Sequence, residues 1–108
     1  MSSGLVYVKK HLVGETLVVA ICDYELLGRK LADEEKGITV YVDPVFYGGE
    51  VVSVEEALEA IKQASIANLI GKRIVEAAIN EGLILREAVI SISGIPHAQV
   101  LVMGVGEE

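Results

Sequence analysis

Few side chains in this sequence are equipped for chemistry, and two of them stand together in Gly94-Ile95-Pro96-His97-Ala98-Gln99-Val100. Residues two apart on a strand face the same side, so His97 and Gln99 project together from a backbone that Pro96 holds at a fixed φ. An imidazole serves as a general base when a carboxylate orients it. Glu50, in Tyr47-Gly48-Gly49-Glu50, is the best-placed partner if the two segments meet in space. His97 and Glu50 are therefore the catalytic candidates, with Gln99 a binding candidate beside them. The bare amides of Gly48 and Gly49, next to Tyr47, can approach an anion closely, yet Glu50 would repel it. A strand bulge explains the glycine pair without a ligand. Asp23, at the end of an apolar run, could join the same cleft. The structural alternative is that His97 donates to a neighbouring carbonyl while Gln99 sits at a rim.

Other chemistries meet objections in the spacing. A metal would have to recruit His11, Cys22, Asp23, Glu50 and His97, which lack the short ligand spacing of zinc motifs, so no metal is expected and no cofactor is called for. Gly71-Lys72-Arg73 ends like a phosphate loop, but Ile66 stands at the earlier glycine position and position 73 is neither Ser nor Thr. Cys22 closes a strand with no base near it in sequence and reads as a small buried hydrophobe. Sixteen acidic residues against nine basic give a net charge of −7, which repels nucleic-acid phosphates and anionic lipid headgroups. Nucleic acid is left only a local patch at Lys72 and Arg73. With one Phe, four Tyr and no Trp, a base-stacking platform is poorly supplied as well.

The elements that must position these residues follow from periodicity. Leu5–Lys9 and Thr16–Cys22 read as strands joined by a turn at Gly14-Glu15, and so short a link favours an antiparallel hairpin. Asp23 to Gly28 suggests one helical turn, Arg29 to Lys36 a solvated charged loop, and Ile38–Asp43 a third strand stopped by Pro44. Phe46 to Val52 is a short extension broken by Gly48 and Gly49. Ser53-Val54-Glu55-Glu56 forms a capping box, opening an amphipathic helix with Val54, Ala57, Leu58, Ile61 and Ala64 on one stripe. The pattern stays helical to Asn80, with a break expected between Ser65 and Gly71 and a second helix through Ile70, Ile74, Ala77 and Ala78 that stops at Gly82. Ala88–Ile92 and Ile95–Met103 read as the last two strands, joined across Gly94.

Strands, then helices, then strands, with hairpin-length links at both ends, predict an α+β two-layer sandwich. Its antiparallel-dominated sheet of about five strands would carry two main helices on one face. The 108 residues suit one domain, with residues 1–4 and 104–108 expected to fray. A mean hydropathy of +0.49 is high for so small a chain, and such a domain often hides its surplus apolar surface against a second copy of itself. No apolar stretch reaches the roughly 18 to 20 residues of a membrane span. A single cysteine and the absence of a leader pattern point to the cytoplasm. A shortage of Asn, Gln, Cys and Met leans mildly toward a hot environment.

Four segments together resemble a known family: Cys22-Asp23-Tyr24-Glu25-Leu26-Leu27-Gly28, Phe46-Tyr47-Gly48-Gly49-Glu50, Ala64-Ser65-Ile66-Ala67-Asn68-Leu69-Ile70-Gly71, and Gly94-Ile95-Pro96-His97-Ala98-Gln99. The chain is similar over nearly its whole length to the small archaeal domain-of-unknown-function family numbered 424. The resemblance implies an archaeal cytoplasmic protein with a two-layer α+β sandwich, and it adds Asn68 to the motif positions that count as binding candidates. It implies no activity. The expected role is a small non-catalytic binding or assembly module. A small hydrolase or transferase using His97 with Glu50 is the first alternative, and an RNA- or ribosome-associated factor the second.

Overall fold

The structure, a computed structural model, describes residues 4–102. The termini expected to fray lie outside these residues except for Gly4, whose carbonyl accepts the Val54 amide at 3.2 Å. Alternation carries the N-terminal hairpin further than expected: β1 (Leu5–Val13) pairs antiparallel with β2 (Thr16–Asp23) from Val6↔Asp23 to Val13↔Thr16. A 3₁₀ turn follows at Tyr24–Leu26. The segment read as a charged loop contains β3 (Lys30–Asp33), which pairs with β4 (Ile38–Tyr41) as a separate two-stranded sheet. Its only buried side chain is Leu31, in a run that opens on Lys30 and closes on Asp33.

Pro44 starts a one-turn helix, α1 (Pro44–Tyr47), because its missing amide is no loss at a first helical position and the Asp43 carboxylate accepts the Val45 amide at 2.9 Å. Next come β5 (Glu50–Ser53) and α2 (Val54–Gln63). The capping box is present: Ser53 Oγ accepts the Glu56 amide at 3.1 Å, and Glu56 Oε1 accepts the Ser53 amide at 3.0 Å.

The main correction is β6 (Ile66–Ile70). The sequence predicts a break between helices there, yet this is an inner strand, parallel to β2 and antiparallel to β8 (Ile95–Leu101). A short, mostly apolar run such as Ile66-Ala67-Asn68-Leu69-Ile70 looks the same in a buried strand and in a buried helix, and its helical neighbours on both sides tip the pattern the wrong way. The second helix, α3 (Lys72–Asn80), accordingly starts after Ile70. The C-terminal hairpin of β7 (Ile90–Ile92) and β8 turns through Ser93 and Gly94, as expected. Pro96 costs this sheet no ladder bond. Its carbonyl accepts the Gly71 amide at 2.9 Å, and the Gly71 carbonyl it cannot reach already accepts from Val75 in α3.

The main sheet thus has six strands in the order β5-β1-β2-β6-β8-β7, antiparallel except for β2 with β6. Two core clusters divide its alternating residues. One gathers Val8, Ile21, Leu69 and Ala98 with Leu58 and Ile61 of α2 and Ile74 and Val75 of α3. The other gathers Ala20, Cys22, Ile70 and Ile92 with Leu26, Leu31, Val42 and Tyr47, contributed by the 3₁₀ turn, the β3–β4 hairpin and α1. Among the described residues no helix is long and apolar enough to cross a membrane.

Candidate functional site

Alternation along β6 and β8 sets Asn68, His97 and Gln99 on the same side of the sheet as the second core cluster. Asn68 stands directly opposite Gln99, and Ile70 directly opposite His97. Asn68 and His97 are half-buried and Gln99 is exposed. Burial holds the His97 imidazole pKa below the ordinary histidine value, so the ring is neutral at pH 7. Two amides and a neutral imidazole offer donors and acceptors without charge, a set suited to polar recognition.

The carboxylate expected to orient His97 is elsewhere. Glu50 opens β5, and the rows of the sheet run Glu50↔Val8, Val8↔Ile21, Ile21↔Leu69 and Leu69↔Ala98. His97 is one residue from Ala98 and therefore faces the opposite side, four inter-strand spacings away, or about 19 Å. The pair is beyond hydrogen-bond reach. The neighbouring glycines serve packing: a side chain at Gly49 would place its Cβ 2.1 Å from the Val8 carbonyl oxygen, so only glycine lets β5 reach β1. Gly48 donates to the Pro44 carbonyl and ends α1. Tyr47 lies in the second core with Cys22, and burial pushes both the phenol and the thiol up to about 12.

Asp23 is structural in a way that the sequence did not reveal. Only 3% exposed, it accepts the amides of Arg73 at 2.8 Å and Ile74 at 3.0 Å, and so caps α3 from the end of β2. The helix cannot cap itself because its N-cap residue is Gly71, held at φ +125° with space only for hydrogen: an added Cβ would lie 2.3 Å from the Asp23 Cγ. Burial raises the Asp23 pKa, while the two amides and the Arg73 guanidinium, 4.0 Å away, pull against it. Arg73 also forks onto Glu25 at 3.1 and 3.2 Å and donates to the Leu5 carbonyl at 3.0 Å. Half of the expected basic patch is thereby engaged within the fold, leaving Lys72 exposed beside it. His11 is occupied too, stacked on Phe46 and bonded to its carbonyl at 2.8 Å. Among the described residues no group of three His, Cys, Asp or Glu side chains is placed to hold a metal ion.

The sequence candidates fall into three places: Asn68, His97 and Gln99 on β6 and β8; Tyr47, Gly48, Gly49 and Glu50 beside β1; and Asp23 under α3. Beside the first group runs a row that the sequence reading missed, Val18↔Ile66 and Ile66↔Leu101, on the same side and at the end where the second core stops. Val18 and Ile66 are half-buried and Leu101 is 75% exposed. The available signal was weak: Ile66 and Asn68 flank the small Ala67, but Leu69 breaks the alternation along what proved to be a strand.

No curated protein matches the chain. Among solved structures it is similar to the crystal structure of an uncharacterized conserved protein from the archaeon Methanopyrus kandleri, at 26% identity and a TM-score of 0.79 over 96% of each chain. The family model described as Protein of unknown function (DUF424) matches residues 11–103, and the chain belongs to that family.

Proposed function

We propose that this chain is a small non-catalytic binding or assembly module that engages a protein partner through the β6–β8 end of its sheet. The observation that supports this is the row Val18, Ile66 and Leu101, with the uncharged Asn68 and Gln99 alongside. An apolar centre rimmed by neutral hydrogen-bonding groups is the composition of a protein interface. A two-layer reading, with α2 and α3 together over one face, supports it further, since the other face then carries only the smaller cover of α1 and the β3–β4 hairpin. The separation of His97 from Glu50 removes the support for the catalytic alternative.

A panel of model esters, phosphoesters and glycosides tests the reading. No turnover sensitive to His97 or Glu50 is expected. A hydrolytic rate about tenfold or more above background that His97→Ala abolishes overturns it.

A further inference from the structure

We propose that the outer edge of β8, at Gln99 and Leu101, pairs antiparallel with the same edge of a second copy, so that two sheets join into one. The inference deepens the binding-module reading and rests on it.

Hydrogen-bond direction alternates along an antiparallel strand. The Pro96 carbonyl and the Val102 amide both bond to the β6 side, at Gly71 and Ser65, which fixes the parity. The N–H and C=O groups of His97, Gln99 and Leu101 therefore point away from β6. The short β7 reaches only to Ile90, opposite His97, leaving Gln99 and Leu101 without a strand partner among the described residues.

Open edges are hazards that proteins usually blunt with charge. The far side of the sheet follows that rule over its first residues: where β1 runs on past β5 it carries Lys9, Lys10 and His11 before ending in Leu12 and Val13, and Lys9 is further tied to the Val45 carbonyl. At β8 the stretch Ala98 to Val102 has no charge. The adjoining groove, about 420 Å³, is lined by Leu83, Leu85, Ala88 and Val100 among others, all uncharged, with Leu85 73% exposed.

Charge permits a second copy here. A molecule of net charge −7 repels its own copies over most orientations, whereas at this edge the strand is uncharged and the flanking 3₁₀ turn carries one cation and one anion, Arg86 and Glu87, which together set no net charge against the copy. A strand edge is also self-complementary under a two-fold axis. Centred on Val100, the axis sets Gln99 against the partner's Leu101 and the reverse, each pair exchanging both N–H···O bonds. β7 blocks registers that run on to His97. Leu85 and Leu101 of each copy would be covered.

Sedimentation equilibrium of the full chain from micromolar to millimolar concentration tests this. The mass should rise from that of one chain to that of two. Gln99→Pro removes an outward amide that the described monomer does not use, and Leu101→Lys adds the missing guard. Each should weaken dimerisation about tenfold or more while leaving the far-ultraviolet circular dichroism of the dilute protein unchanged, and Val13→Lys on β1, three strands away from β8, should leave it intact. A chain that stays monomeric throughout, or a dimer that survives Leu101→Lys or is lost with Val13→Lys, overturns the proposal. If Gln99→Pro unfolds, Leu101→Lys decides alone. A monomer without His97-dependent turnover overturns this interface and leaves the binding-module reading standing, whereas such turnover overturns that reading whatever the mass.

Discussion

A carboxylate removed from water is costly unless it finds donors, and Asp23 finds them in the main chain of a helix distant in sequence. The arrangement couples two residues, since the carboxylate occupies the volume where a side chain at position 71 would stand. Asp23→Ala should cost about 2–3 kcal/mol in chemical denaturation, as a buried cap with two amides released. Gly71→Ala should cost a similar amount alone and distinctly less in the Asp23→Ala background, because the clash is gone and only the backbone strain persists. Strict additivity in that double-mutant cycle would refute the coupling. His97 makes a prediction of opposite character. Its folded pKa is depressed by burial, so the unfolded chain takes up the proton first as pH falls, and stability is lost below the unfolded value of about 6.5. Melting temperature should drop from pH 7 to pH 5, and His97→Leu should flatten that drop.

At the scale of elements, α2 was the most legible piece because its signals agree: a capping box, a three-to-four-residue stripe and charges outside it. Ser53→Ala should cost about 1 kcal/mol by thermal melting, and Ser53→Asp far less, since a carboxylate oxygen can accept the same amide. Where local signals were few the reading failed. β3 offered one buried side chain between charges, and β6 offered an apolar run whose period is hidden by alanine and asparagine. The candidate site suffered the same way. His97 and Gln99 were paired on one face because β8 was expected as a strand from Ile95, although it ends at Leu101 and the expected end at Met103 lies outside the described residues, whereas the Val18, Ile66 and Leu101 row could not be seen without β6. Glu50 was linked to His97 only by chemical suitability, and strand order is a long-range property that chemical suitability does not encode.

For the whole molecule, the β2–β6 pairing is the seam between the N-terminal hairpin and β6, on whose other edge the C-terminal β7–β8 hairpin docks. Both hairpins form from neighbours in sequence, while the seam must close over the β3–β4 hairpin, α1, β5 and α2, so it is expected to form late. Leu69→Ala, a fully buried truncation on β6, should destabilise by about 2–5 kcal/mol and act mainly by speeding unfolding, with a φ-value under about 0.3 in stopped-flow kinetics. A φ-value near 1 would mean that the seam nucleates folding.

The order of synthesis gives that seam a second meaning. While the chain emerges from its N-terminus, the Val18 to Cys22 flank of β2 is complete well before Ile66 to Ile70 exists to cover it. For that interval the nascent protein carries an apolar, hydrogen-bonding edge with nothing of its own to pair with, and this is when association with another unfinished chain is most favoured.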